Sequence, residues 1–118
     1  MQLILYITTC ILLILHEIES AYEKEWEILR LPGGITGFLL MHIPILAAMF
    51  CGLYWLDRDL PAGNIISIVV GAGGLLPLAV HKIVVYRKDA FNKPVSNIII
   101  ACGGLTGIAL IIVSILNI

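Results

Sequence analysis

Three long apolar stretches, Ile35 to Leu56, Ile65 to Tyr86 and Val95 to Ile118, take up most of the chain. Each is long enough to cross a bilayer core of about 30 Å, which takes roughly 20 helical residues. A fourth stretch, Leu3 to Leu15, rises only about 20 Å at ~1.5 Å per residue. To cross, its helix must continue through His16 and Glu19 to about Tyr22. That places an imidazole and a carboxylate inside or at the edge of the low-dielectric layer, where ionisable groups are costly and commonly functional.

The chain has 118 residues, 60% of them apolar and 13% charged, which excludes an ordinary soluble domain. The expected fold is all-α: an integral membrane four-helix antiparallel bundle. Residues 1–118 form a single transmembrane domain, with helices at about 2–30, 34–56, 64–87 and 94–118. The N-terminal run has no basic flank and no small-residue cleavage site, so it reads as a retained helix. Little of the chain lies outside the spans, so chemistry is expected within the bundle or at its mouths. Cys10, Cys51 and Cys102 fall in three different apolar segments without CxxC spacing and read as buried free thiols.

Basic residues set the expected orientation. Lys24, Arg30, Lys82, Arg87, Lys88 and Lys93 share one side, whereas the loop after the second helix carries only Arg58 between two aspartates. The positive-inside rule then places loops 1–2 and 3–4 in the cytoplasm and both termini outside. The lipid bilayer is the expected partner. A net charge of −1 excludes nucleic acid.

Leu31-Pro32-Gly33-Gly34 ends the first helix and reverses the chain. Tyr22, Trp26, Tyr54 and Trp55 are placed as interfacial anchors. Asp89 to Pro94 reads as a compact turn with Pro94 opening the last helix. Gly33 and Gly37, the Gly71 to Gly74 cluster, and Gly103 and Gly107 let backbones approach closely. These faces serve packing within the chain or a homo-oligomeric contact.

All three histidines fall at one level. His16 lies six residues before Tyr22, His81 five before Tyr86, and His42 eight after Gly34, depths of roughly 7 to 12 Å at the helical rise. On an unbroken first helix His16, Glu19, Glu23 and Trp26 share one face. Glu17 points elsewhere, and Glu25 and Glu27 reach water. His16, Glu19, His42 and His81 thus form the candidate metal site, supported by Glu23 and Asn97. Pro44 and Pro77 interrupt two of the histidine-bearing helices and free the carbonyls of Leu40 and Gly73. Three imidazoles and a carboxylate suit a divalent transition metal such as zinc or iron. The same groups suit proton exchange, a haem between His42 and His81, or helix-bridging hydrogen bonds alone. There is no HExxH, nucleophile elbow or phosphate loop, and the catalytic residues are unknown.

His16-Glu17-Ile18-Glu19, with Tyr22, Glu25-Trp26 and the Leu31 to Gly34 turn, resembles small integral membrane proteins grouped by an HXXEE-type motif. The likeness covers the first helix and turn, with Ser20 at the fifth motif position. That family has no assigned activity, so the resemblance implies only that His16 and Glu19 correspond to its motif.

Two further readings accompany the metal site. One is an oligomeric proton- or cation-coupled transporter or channel subunit, and the other is a structural accessory subunit of a membrane complex.

Overall fold

The computed structural model describes residues 1–84 and 91–118, with backbone alone at 83 and 84. Its helices are α1 (Gln2–Tyr22), the single turn α2 (Glu25–Ile28), α3 (Gly34–Asp57), α4 (Pro61–Ala79) and α5 (Pro94–Leu116). A π-helical turn, Val80–Val84, prolongs α4. Among the described residues there is no strand, and four helices are long and apolar enough to cross a membrane. The expected end of the third helix near residue 87 and the basic residues Arg87 and Lys88 lie outside the described residues.

Large apolar side chains are exposed along every span, among them Ile4, Leu39, Ile43, Phe50, Val69 and Leu105. In water such a surface would drive aggregation; in lipid it is the solvent-matched face. The polar interior follows the same logic. Thr9, Ser67 and Ser114 each donate to a carbonyl four residues back in their own helix, which satisfies the hydroxyl without a partner helix.

Helices α4 and α5 meet backbone to backbone. A Cβ added at Gly71 would lie 2.7 Å from the Gly107 carbonyl oxygen, and one at Gly74 would lie 2.7 Å from that of Gly103. These glycines are therefore taken up by a contact within the chain. The α3–α4 hairpin is tight for the same reason, since a Cβ at Gly63 would sit 2.7 Å from Leu56 Cα. A small apolar core of Tyr6, Met49, Val70 and Leu110 joins all four spans. The Tyr6 hydroxyl donates to the Met49 carbonyl at 2.8 Å. At the far end, the Gln2 amide donates to Asn64 Oδ1 and to the Ser114 hydroxyl, and Asn117 Nδ2 donates back to Gln2 Oε1.

One expected element differs. The first helix does not run to Arg30; it stops at Tyr22, and Lys24 adopts the left-handed conformation (φ 52°) before α2 starts. Residues 23 to 27 are polar apart from Trp26, so nothing holds this stretch in lipid as a helix. Folding back packs the half-buried Trp26 against Phe38, with ring centroids 5.4 Å apart. The left-handed residue costs roughly 1–2 kcal/mol, which buried aromatic area offsets. The reversal then closes through Gly33 and Gly34, both at positive φ.

Candidate metal centre

Three elements bring the polar residues together. The buried stripe of α1 consists of Tyr6, Thr9, His16 and Ser20, so His16 faces the bundle interior. Pro77 lacks the amide that would bond the Gly73 carbonyl, and the helix beyond it relaxes into the π turn that contains His81. An extra residue per turn changes the face on which a side chain emerges, and such turns recur at functional sites. The third element is the break at Lys24. On a straight helix nine residues turn the face by about 180°, which would put Glu25 opposite His16. The break returns Glu25 to the same side.

The result is a compact cluster. His81 Nε2 lies 2.8 Å from Glu25 Oε1, close enough for an ion pair yet outside hydrogen-bond alignment. The His16 and His81 rings meet edge-on with centroids 5.1 Å apart. Phe91 stacks on His81 at 4.0 Å and is almost fully buried. One ligand atom each from His16, Glu25 and His81 lies within 4.8 Å of the others. Among the described residues His81 Nε2 has only its ion-pair contact with Glu25, and His16 Nδ1 is buried without a hydrogen bond, which costs about 1–3 kcal/mol unless something else binds it. Burial raises the Glu25 carboxyl, but the nearby His81 ring and Ser20 hydroxyl outweigh it and hold the group below the usual carboxylate value.

His42 stands in a second pair. Its Nε2 is 2.7 Å from Glu17 Oε2, and its Nδ1–H donates to the Phe38 carbonyl at 2.6 Å. With both nitrogens facing oxygen, a proton must lie between His42 Nε2 and Glu17. The two groups share one cavity of about 310 Å³, lined by His16, His42, His81, Glu17 and Glu25 together with apolar side chains.

The remaining sequence candidates lie elsewhere. Glu19 is not beside His16; Oε1 accepts a hydrogen bond from the buried Ser96 of α5. A helical residue three positions on is rotated away from the stripe, and it is Ser20, four on, whose hydroxyl sits 3.4 Å from His16 Nε2. Glu23 is the half-exposed C-cap residue of α1. Asn97 is exposed and accepts from Lys82 Nζ at 2.5 Å, outside the cavity. Pro44 lies exposed on the lipid-facing side of α3, whereas Pro77 is buried. Glu17 and Glu25, expected to point away or into water, are the two carboxylates that line the cavity. A run of polar residues following directly on a span was the available signal that the helix need not continue.

Two imidazoles and one carboxylate converging from separate segments form a donor set found in zinc and non-haem iron centres, with further coordination positions open. The fold and cluster together define a four-helix membrane protein with an internal His/Glu group. The sequence profile of a family of unknown function (DUF6713) matches residues 2–117, and the chain belongs to that family. The match does not name the HXXEE-type proteins, so that likeness rests on the first helix and turn alone. Neither the curated proteins nor the solved structures contain a match to the chain.

Proposed function

We propose that the protein is a membrane metalloprotein in which His16, Glu25 and His81 hold a divalent transition metal, zinc or iron. The single observation that carries this reading is the convergence of one ligand atom each from His16, Glu25 and His81 within 4.8 Å. A metal at about 2.0–2.2 Å from each ligand needs them no more than about 4.4 Å apart, so small side-chain movements close the site. Relative to the set read from sequence, Glu25 takes the position of Glu19, and His42 with Glu17 supports the site from across the cavity. The excess of basic residues in loops 1–2 and 3–4 supports a cytoplasmic position for this end of the bundle.

Metal analysis of purified protein tests the proposal. One equivalent of zinc or iron is expected in the wild type, and less than a tenth of that (about 1.4 kcal/mol or more of lost affinity) in His16→Ala, His81→Ala and Glu25→Gln. Unchanged content in all three variants removes it.

A second reading, proton or cation exchange by an oligomer, draws on the His42–Glu17 pair, which holds a proton beside the same cavity. Proton flux in proteoliposomes that is lost in Glu17→Gln while metal is retained would favour it.

A further inference from the structure

The cavity extends well beyond the cluster. Its lining on α3 runs from Phe38 to Met49, about 16 Å along the helix at ~1.5 Å per residue. His16, Glu25 and His81 stand near one end, beside Trp26 and Leu31. The other end, at Leu13, Met49 and Gly73, is apolar. Met41 and Ile45 of α3 and Leu76 of α4 line it and are also exposed within the spans, so the groove opens sideways toward lipid. At about 30 Å³ per water-sized group, its ~310 Å³ accommodates about ten such groups. Spread over the ~16 Å of the groove, these groups stand in single file, as a methylene chain does and a branched or multi-ring molecule does not.

We infer that the groove binds a single alkyl chain whose oxygen-bearing head, a carboxylate or hydroxyl, reaches the metal held by His16, Glu25 and His81. The inference rests on the metal reading for the head and on the groove for the chain. Polarity runs in the matching direction: the two imidazoles, with His16 Nδ1 buried and unbonded among the described residues, stand at one end, and apolar walls line the other. A head without a ligating oxygen would add nothing at the imidazole end, and a diacyl lipid would exceed the volume.

Gly73 supplies the block. A Cβ there meets only Leu13 Cδ1, at 3.5 Å, an ordinary contact, so Gly73→Leu projects into the groove without displacing backbone. Ile45→Trp fills the groove from its exposed lip and is the second variant. Protein in phosphatidylcholine nanodiscs is labelled with decanoic acid carrying a chain diazirine and a terminal alkyne, and bound zinc or iron is measured on the same samples. Labelling is expected at Leu13, Met49 and Leu76. Each blocking variant should reduce it by about tenfold, the loss of about two methylenes' burial, with metal content unchanged. Unlabelled decanoic acid and decanol should compete, and decane should not.

Labelling spread evenly over lipid-facing positions of α5, or undiminished in both blocking variants, overturns the chain site while the metal reading stands. Groove-specific labelling in a wild type that holds no metal overturns the head assignment and the metal reading together but leaves the chain site. Competition by decane equal to decanoic acid overturns the head assignment alone.

Discussion

His81 Nε2 approaches Glu25 Oε1 to 2.8 Å, across a break that separates Glu25 from the helix it was expected to prolong. The contact makes the carboxylate part of the interior, and its ionisation is linked to folding. The Glu25 carboxyl is held below its usual value, despite burial, by His81 and Ser20. A folded-state value depressed below the unfolded one, about 4.3, gives stability that is complete above the unfolded value. That stability disappears as pH falls through the folded value. Thermal unfolding of metal-free protein in detergent should therefore lose stability on acidification below about pH 4.3, and Glu25→Gln should remove that part of the slope. An identical acid profile in the variant would mean that Glu25 is not paired.

His42 and His81 give opposite outcomes. Both nitrogens of His42 are engaged, by Glu17 and by the Phe38 carbonyl, whereas among the described residues His81 Nε2 has only its ion-pair contact with Glu25, itself one of the three converging groups. His42→Ala is expected to keep bound metal but to destabilise the protein by about 2 kcal/mol, the worth of a hydrogen bond to a charged group. His81→Ala should lose the metal. A double-mutant cycle with Glu17→Gln should show His42 and Glu17 coupled by about 1–2 kcal/mol, read from unfolding in mixed micelles. Loss of metal in His42→Ala would return that residue to the ligand set.

Much of the bundle was legible in the residues. Three apolar stretches of full spanning length, and one that needed His16 and Glu19 to reach across, match the four long helices. Pro61 and Pro94 open their helices, and the glycines at 71, 74, 103 and 107 mark the closest helix pair. The level of the three histidines was legible too, because a helical rise converts residue counts into depth, and all three line one cavity. Which carboxylates joined them was not. A single left-handed residue at Lys24 turns Glu25 by half a circle, and lysine carries no local signal for that conformation. The π turn after Pro77 was equally hidden, since a proline reports a missing hydrogen bond but not how the next turn closes.

Ser96 should matter more than an isolated serine in a span. It is fully buried and donates to Glu19 Oε1, while Glu19 Oε2 is buried without a partner among the described residues. Ser96→Ala leaves the carboxylate with neither oxygen bonded and should cost about 1–3 kcal/mol. Ser96→Ala combined with Glu19→Gln should recover part of the loss, because an amide is cheaper to bury than an ion. Equal stability of wild type and Ser96→Ala in micelle unfolding would show that the bond carries nothing.

The glycines of α4 separate by what a side chain would meet. A Cβ at Gly71 would fall 2.7 Å from the Gly107 carbonyl oxygen, whereas one at Gly73 meets only the tip of Leu13, at 3.5 Å. Gly71→Ala must push α5 away and should destabilise by about 1–3 kcal/mol. Gly73→Ala gains helix propensity, up to about 1 kcal/mol. Unfolding by increasing denaturing-detergent fraction reads both, and equal effects at the two positions would contradict the α4–α5 packing.

Lys24 is where the candidate site and the backbone meet. Its left-handed conformation (φ 52°) costs a non-glycine residue roughly 1–2 kcal/mol, and it alone sets the angle at which Glu25 returns to His81. Lys24→Gly relieves the strain, and after glycine's greater unfolded-state entropy is set against it, a net gain of about 0.5 kcal/mol with full metal content is expected. Lys24→Val should have the opposite result, because a β-branched residue resists this conformation most. Its α1 would then tend to continue straight, carrying Glu25 away from the two imidazoles. Metal content should therefore fall in Lys24→Val although neither the charge nor the atoms of any ligand have changed. Full metal binding in the valine variant would mean that the break is not what positions Glu25.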